Sequence, residues 1–366
     1  MDEEKRKVLL ESLGKRREAV QQYLRSKADL YAGFLSVSHI RNAASLYVAH
    51  AGKFLRAQAL LLACGIVGGR EETAVPAAAA LEAFHAWTLI HDDIIDEDLR
   101  RRGEPTLHEE YRRRAVDEWG LDDPEARLYG QTVGLLAGDI LQGWVVPLLC
   151  ELNREQGVDP GIVMALLEDL NLRVRSTLID GQMMDVQFPR LPVDSLEQDA
   201  IEEMLYRKTG ALYEFAGRAG AMIGLGVSDP DHPQVRALAA FAGRCGVSFQ
   251  LQDDVLGVIG NPRRLGKTTG SDIRMGKRTL LSVYALKQAG EAPRRKLLRV
   301  FGNRQATDQE VEETKLLLGE LGAVEHARTR ARALLAEALR CLEVFPASRC
   351  RDLLSFWAEC MIERDF

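Results

Sequence analysis

Long uninterrupted apolar runs are missing from this sequence of 366 residues: Asp139 divides one candidate, and Glu82 and His85 divide another. A helical membrane span needs about 20 consecutive apolar residues, so the sequence predicts none. The first segment, MDEEKRKVLLESLGKRREAV, is charged throughout and has no apolar core of the kind a secretory leader carries. A basic surplus is missing as well. The formal net charge is −6, which removes the broad positive field that nucleic-acid binding uses. The run Arg112-Arg113-Arg114 is offset by Glu109, Glu110, Asp117 and Glu118 and reads as a solvated helix face. The six cysteines (Cys64, Cys150, Cys245, Cys341, Cys350 and Cys360) show no metal-ligand spacing. In apolar helical contexts they behave as small hydrophobes, and a reducing cytoplasm fits them best. Short repeats, low-complexity tracts and Pro/Ser-rich linkers are absent.

What is present is helical periodicity. With 46% hydrophobic and 28% charged residues the chain can bury a large core. Apolar positions recur at the helical period, and alternating runs are few. The spacing predicts helices near 2–28, 39–50, 54–67, 75–98, 107–119, 125–152, 159–187, 195–225, 232–260, 276–290, 293–303, 308–343 and 348–364. Gly68-Gly69 stops one of them, and Pro76 suits the first turn of the next. Ala77 to Ala80 would let a neighbouring helix pack closely. The reading is one all-α domain over residues 1–366, with residues 1–30 as an amino-terminal helix for packing or dimer contact.

The chemistry gathers in two aspartate clusters, Asp92-Asp93-Ile94-Ile95-Asp96 and Asp253-Asp254. Buried carboxylates repel one another and lose hydration, so such clusters call for counter-charge, usually a metal. On a helix Asp92 and Asp96 lie about one turn apart on one face. That spacing suits a hard cation such as Mg2+, with positions left for water and phosphate oxygens. DDIID alone fits a solvated acidic helix end equally well. The joined pattern HDDxxD…RRGxPTxH, with Arg101 and Arg102 before Gly103, is far more specific. Guanidinium forks grip phosphate oxygens in pairs.

Four weaker clusters point the same way. Lys53 and Arg56 share one face of a helix start and suit an anion, although alone they would be a surface pair. His85 stands two turns before Asp92 on the same face; it is either a satisfied core histidine or a further donor. Gln182 and Asp185 in GQMMD are one turn apart, and Lys208-Thr209 adds a cation; a purely structural polar network is equally compatible. Gln250 sits one turn before Asp253, and Lys267 and Lys277 belong to a glycine-rich loop able to fold over a phosphate.

Taken in order, GK-x-x-R, the first aspartate motif, RRG, GQ-x-x-D, KT, the second aspartate motif and GK…GSDI…GKRT resemble the trans-polyprenyl (isoprenyl) diphosphate synthases, from about residue 30 onward. The resemblance implies an all-α fold built around a central cavity, a homodimer, and Mg2+-dependent condensation of isopentenyl diphosphate with an allylic diphosphate. It assigns Asp92, Asp96 and Asp253, with Asp93 and Asp254 beside them, to Mg2+. Arg101, Lys208, Thr209, Gln250, Lys267 and Lys277 would contact the allylic diphosphate. Lys53, Arg56, His85 and Arg102 would hold isopentenyl diphosphate, and Gln182 and Asp185 would line the reacting centre. Lys208, Thr209, Gln182 and Asp185 are the expected catalytic set. Three departures stand out. Gly257 replaces the third aspartate of the second motif, with Asp272 in the loop that follows. AGKFLRA replaces GGKxxRP, and about a dozen extra residues follow His108, including Trp119 to Pro124.

Product length would depend on cavity depth below Asp92. Trp87, five residues upstream, and Phe84 are either floor or ordinary core. In the family an aromatic at the Trp87 position implies a twenty-carbon product, geranylgeranyl diphosphate, with farnesyl diphosphate as the alternative. A class I terpene cyclase would lack a use for Lys53, Arg56 and Arg102. A non-catalytic regulatory subunit would typically have lost the aspartates.

Overall fold

The computed structural model describes residues 3–49, 52–101, 103–260 and 270–362. The all-α expectation holds. In chain order the helices are α1 (Glu3–Ala32), α2 (Ser38–Ala49), α3 (Leu55–Ile66), α4 (Val75–Ile95), α5 (Leu107–Trp119), α6 (Asp123–Arg154), α7 (Pro160–Glu168), α8 (Arg175–Gln187), α9 (Gln198–Leu205), α10 (Ala211–Leu225), α11 (Pro233–Ile259), α12 (Ser271–Met275), α13 (Leu280–Gln288), α14 (Glu291–Val300), α15 (Asp308–Glu320), α16 (Ala323–Cys341) and α17 (Arg349–Ile362). Among the described residues the only strands are β1 (Arg100–Arg101) and β2 (Glu104–Pro105), paired antiparallel.

Local chemistry sets most boundaries. The Asp122 side chain accepts from the Glu125 backbone at the start of α6, and Asp159 does the same for Gly161 at α7. Each helix has a proline in its first turn, where a missing N–H costs nothing. Thr307 and Glu310 close a reciprocal capping box on α15. Four expectations are corrected. The helix read over 308–343 is two, because Gly322 takes φ +76° between α15 and α16. The helix read from 276 begins at Leu280, capped by the Thr279 side chain, and the short α12 precedes it. The helix read to 98 ends at Ile95. The long runs at 159–187 and 195–225 contain π-helical turns at Asp169–Val174 and Tyr206–Gly210.

The chain divides into two compact units. One comprises Met1–Asp169, Ala216–Arg236 and Phe345–Phe356; the other comprises Leu170–Phe215, Ala237–Val344 and Trp357–Phe366. In the first unit α4 packs against α1, α2, α3 and α6, and α5 lies along α6. Ala77 to Ala80 are fully buried, as close helix packing requires. Among the described residues α6 alone is long and apolar enough to cross a membrane, which the sequence reading had ruled out by Asp139. Half of its most apolar stretch is buried within the protein. The arginine run is also not simply solvated: Glu109 is buried, accepting from Arg112 at 2.7 and 2.9 Å and from Arg113 at 2.8 Å.

In the second unit Leu251, Val255, Leu281, Leu286 and Leu297 form a continuous apolar core. Each fully buried side chain of this size contributes about 1.5–3 kcal/mol. Arg330 forks onto Glu202 at 2.7 and 2.8 Å and ties α16 to α9.

Candidate active site

In the first unit the end of α4 sorts its three aspartates by face. Asp92 and Asp96 are half-buried, whereas Asp93 is 1% exposed. Arg101 Nε donates to both Asp93 carboxylate oxygens, at 2.7 and 3.0 Å, and a second Arg101 nitrogen also reaches Oδ1. The same guanidinium lies 3.6 Å from Asp92. The sequence reading placed Asp93 with the metal ligands and Arg101 with the diphosphate; here the two face each other. A fork held by a buried carboxylate keeps a fixed orientation. His108, the last residue of the same motif, is buried, and burial lowers its pKa.

Upstream, Arg56 Nη1 lies 3.0 Å from His85 Nε2. Arginine can only donate, so Nε2 accepts and the imidazole proton sits on Nδ1, which faces the Thr88 hydroxyl at 3.4 Å. Lys53 is exposed, and its carbonyl accepts from Gln58. Glu82, which the sequence reading treated only as a break in an apolar run, is buried and accepts from the Ala57 backbone at 3.1 Å. It thereby fixes the start of α3 and with it Arg56. No local pattern announces this contact, because the partner is 25 residues away.

Backbone strain marks the same places. Among the described residues two non-glycines have positive φ: Phe54 (54°) and Glu97 (53°). They directly follow Lys53 and Asp96. Such conformations cost about 1–3 kcal/mol each and cluster where function constrains the chain.

The second unit joins residues from four separate motifs. Asp185 Oδ2 accepts from Lys208 at 2.6 Å and from Lys277 at 3.2 Å. Thr209 donates to Gln250 Oε1 at 3.1 Å, and Gln250 Nε2 donates to Asp254 Oδ1 at 3.1 Å. The π-turn at Tyr206–Gly210 carries Lys208 and Thr209, and such turns re-aim side chains that a regular helix would direct elsewhere. Gly181 makes the approach possible: a Cβ there would lie 2.3 Å from the Lys208 backbone nitrogen. Gln182 Nε2 is buried with no hydrogen-bond partner among the described residues.

Asp254 holds the strongest electrostatic tension. Its Oδ2 is buried without a hydrogen-bond partner among the described residues. Burial pushes its pKa well above the carboxylate range, and Asp272, Asp253 and Asp185 push in the same direction against the Gln250 hydrogen bond. Asp272 also answers the missing third aspartate. A Cβ on Gly257 would lie 3.6 Å from Asp272 Oδ2, so a carboxylate occupies that neighbourhood from another segment.

These donors suit a hard divalent cation: all are carboxylate oxygens, and one is buried and unsatisfied. Among the described residues no group of three or more ligating side chains converges on one point. Mg2+ commonly takes one or two carboxylates and fills its octahedron with water and substrate phosphate, so an open set is compatible. Arg102 and Lys267 lie outside the described residues.

Comparison with known proteins gives a consistent result. The model of the polyprenyl synthetase family matches residues 37–317. A short chain isoprenyl diphosphate synthase of Methanothermobacter thermautotrophicus is 34% identical over 315 residues, covering 86% of this chain and 87% of that protein. A geranylgeranyl pyrophosphate synthase of Geoglobus acetivorans is 33% identical over 323 residues, covering 88% and 90%. The solved structure of a geranylgeranyl pyrophosphate synthase from Corynebacterium glutamicum, complexed with isoprenyl diphosphate and magnesium, has a TM-score of 0.83 at 26% identity, covering 96% and 98%.

Proposed function

We propose, on the premise that this chain belongs to the polyprenyl synthetase family and is a prenyltransferase, that it condenses isopentenyl diphosphate with an allylic diphosphate and stops at geranylgeranyl diphosphate. The observation that carries the reading is the contact network of Asp185, Lys208, Lys277, Thr209, Gln250 and Asp254. A non-catalytic subunit would have no reason to keep all of them.

The roles follow from charge and position. Asp92, Asp96, Asp253 and Asp254 would hold Mg2+, which when bound neutralises the diphosphate as negative charge grows on it. Arg101, oriented by Asp93, and Lys208, Lys277 and Lys267 bind the allylic diphosphate. Asp185 holds two of those ammonium groups at one carboxylate oxygen, so neither lysine pays the full entropy of finding the substrate. Lys53, Arg56, His85 and Arg102 bind isopentenyl diphosphate. The Thr209 hydroxyl and the Gln182 side-chain carbonyl would stabilise the allylic cation through their dipoles. The double bond of isopentenyl diphosphate attacks that cation, and the released diphosphate takes the proton that is lost.

The whole chain serves as one catalytic domain in this reading, in the cytoplasm and as a homodimer. Support for the dimer comes from α6, where Leu128, Leu135, Leu136 and Val146 are 43–66% exposed. The deciding experiment incubates purified protein with Mg2+, isopentenyl diphosphate and, separately, dimethylallyl, geranyl and farnesyl diphosphates, and weighs the dephosphorylated products. A single twenty-carbon alcohol is expected. A fifteen-carbon end point overturns the product assignment, and no elongation by folded protein overturns the enzymatic one.

A further inference from the structure

Trp87 does not stand alone in the first unit. Its indole Nε1 donates to His91 Nδ1 at 3.1 Å, one turn along α4, and its ring meets Phe84 edge-on at 5.0 Å. Because an indole nitrogen can only donate, Nδ1 must accept, and the imidazole proton is therefore on Nε2. That nitrogen lies 3.1 Å from the carbonyl oxygen of Leu135 on α6 and donates to it. Asp139, at 3.9 Å from Nε2, is too distant for a hydrogen bond and 71% exposed. The tautomer is thus fixed from both sides, and the indole is tied through the imidazole to the backbone of a neighbouring helix.

The space for this relay is made at one position. A Cβ on Gly138 would lie 2.3 Å from His91 Nε2, 2.5 Å from Cδ2 and 3.2 Å from Trp87 Cδ1. Any side chain at 138 would have to displace the imidazole, and the indole would lose its acceptor.

We infer that His91 and Gly138 are positioning residues for product length, holding Trp87 in the rotamer that ends elongation. The inference rests on the assignment of Trp87 as the cavity floor. His91 acts through the indole. It stands beside Asp92 in sequence, and its imidazole is directed to Trp87 and Leu135.

The test compares four variants of the full-length protein by product mass: Trp87→Ala, His91→Leu, His91→Asn and Gly138→Ala. His91→Leu keeps bulk and removes the acceptor, whereas asparagine can place its side-chain oxygen near the Nδ1 position. The expected result is longer products from Trp87→Ala, His91→Leu and Gly138→Ala, with the wild-type end point retained in His91→Asn. The ratio of longer product to wild-type product should rise about tenfold in His91→Leu, the scale on which an apolar pocket discriminates by small changes of shape. A merely structural role for His91 would lower activity and stability without moving that ratio. Longer products from Trp87→Ala but not from His91→Leu or Gly138→Ala overturn this inference alone. Unchanged length in Trp87→Ala overturns the floor assignment and the inference with it. Should Gly138→Ala fail to fold, the indole N–H resonance of Trp87 in His91→Leu, assigned by its absence in Trp87→Ala, still decides the positioning. It should shift and exchange faster with solvent, and an unchanged resonance overturns the relay.

Discussion

The carboxylates at the end of α4 and those of the second unit answer the same electrostatic problem in opposite ways. Asp93 is buried and saturated: both its oxygens are taken by Arg101. Asp254 is left with a buried oxygen that no hydrogen bond satisfies among the described residues, near carboxylates that raise its pKa further. The first arrangement is complete as it stands and orients a cation. The second is under-neutralised and gains most from a ligand that brings positive charge. Low dielectric makes both consequential, since it strengthens a matched pair and penalises an unmatched group. Rigidity and appetite for a ligand are thus separated within one protein, and each can be attacked by itself.

The largest expected effect is catalytic. Asp92→Asn removes an accessible carboxylate and should lower turnover by about 1000-fold, the scale of losing one electrostatic contact to a transition state. The urea midpoint should hardly move; a large drop would show that Asp92 belongs with the saturated group. Asp93→Asn should do the reverse in stability. It leaves Arg101 facing a neutral partner and should cost about 3 kcal/mol in denaturant unfolding. A cost near zero would mean that the buried pair is not an anchor.

Acid probes a second saturated carboxylate. Hydrogen bonds from Arg112, opposed by burial and reinforced by Arg113, lower the Glu109 pKa to about 2 from 4.5. Its folded value lies below its unfolded one, so its stabilisation is complete above pH 4.5 and is lost as pH falls toward 2. By linkage that is about 3 kcal/mol, and Glu109→Gln should flatten the fall of stability with pH over this window. An unchanged pH profile would remove Glu109 from the comparison. The smallest effect has the opposite sign. Asp254→Asn should stabilise metal-free protein by about 1 kcal/mol while lowering turnover, because it removes a carboxyl group whose ionised form burial and its carboxylate neighbours penalise. The folded pKa of Asp254 is raised, so the folded state holds the proton more tightly and the penalty grows as pH rises above the unfolded value. The gain should therefore be larger at pH 8 than at pH 4; a gain that shrinks with pH would sink the argument.

The fold was legible where side-chain chemistry acts locally. Helical period placed α5 correctly, α6 to within two residues at each end, and the start of α7 to within one. Gly322 escaped because one glycine in an apolar-periodic run is compatible with a continuous helix until its φ is known. The π-turn under Lys208 escaped because it is a backbone event with no compositional mark. The motifs nominated carboxylates and cations, yet not which way they face. Neighbouring helical residues project about 100° apart, so Asp92 and Asp93 meet Arg101 unequally, at 3.6 Å for Asp92 and in a hydrogen-bonded fork for Asp93, and that ranking depends on where Arg101 lies. Glu82 was invisible as a functional support for the same reason: its value depends on a contact distant in the chain.

The Asp93–Arg101 fork carries one more consequence, for descent. Changing Arg101 first removes the hydrogen bonds it gives to both oxygens of the buried Asp93, and changing Asp93 first removes the carboxylate that holds the fork. Exchange at these two positions is therefore expected to go by paired replacement, whereas the neighbours Leu99 and Arg100, both exposed, carry no such constraint from burial. Where a lineage has crossed that barrier, both positions should differ together, and the paired difference would date a branch better than any single site in the motif.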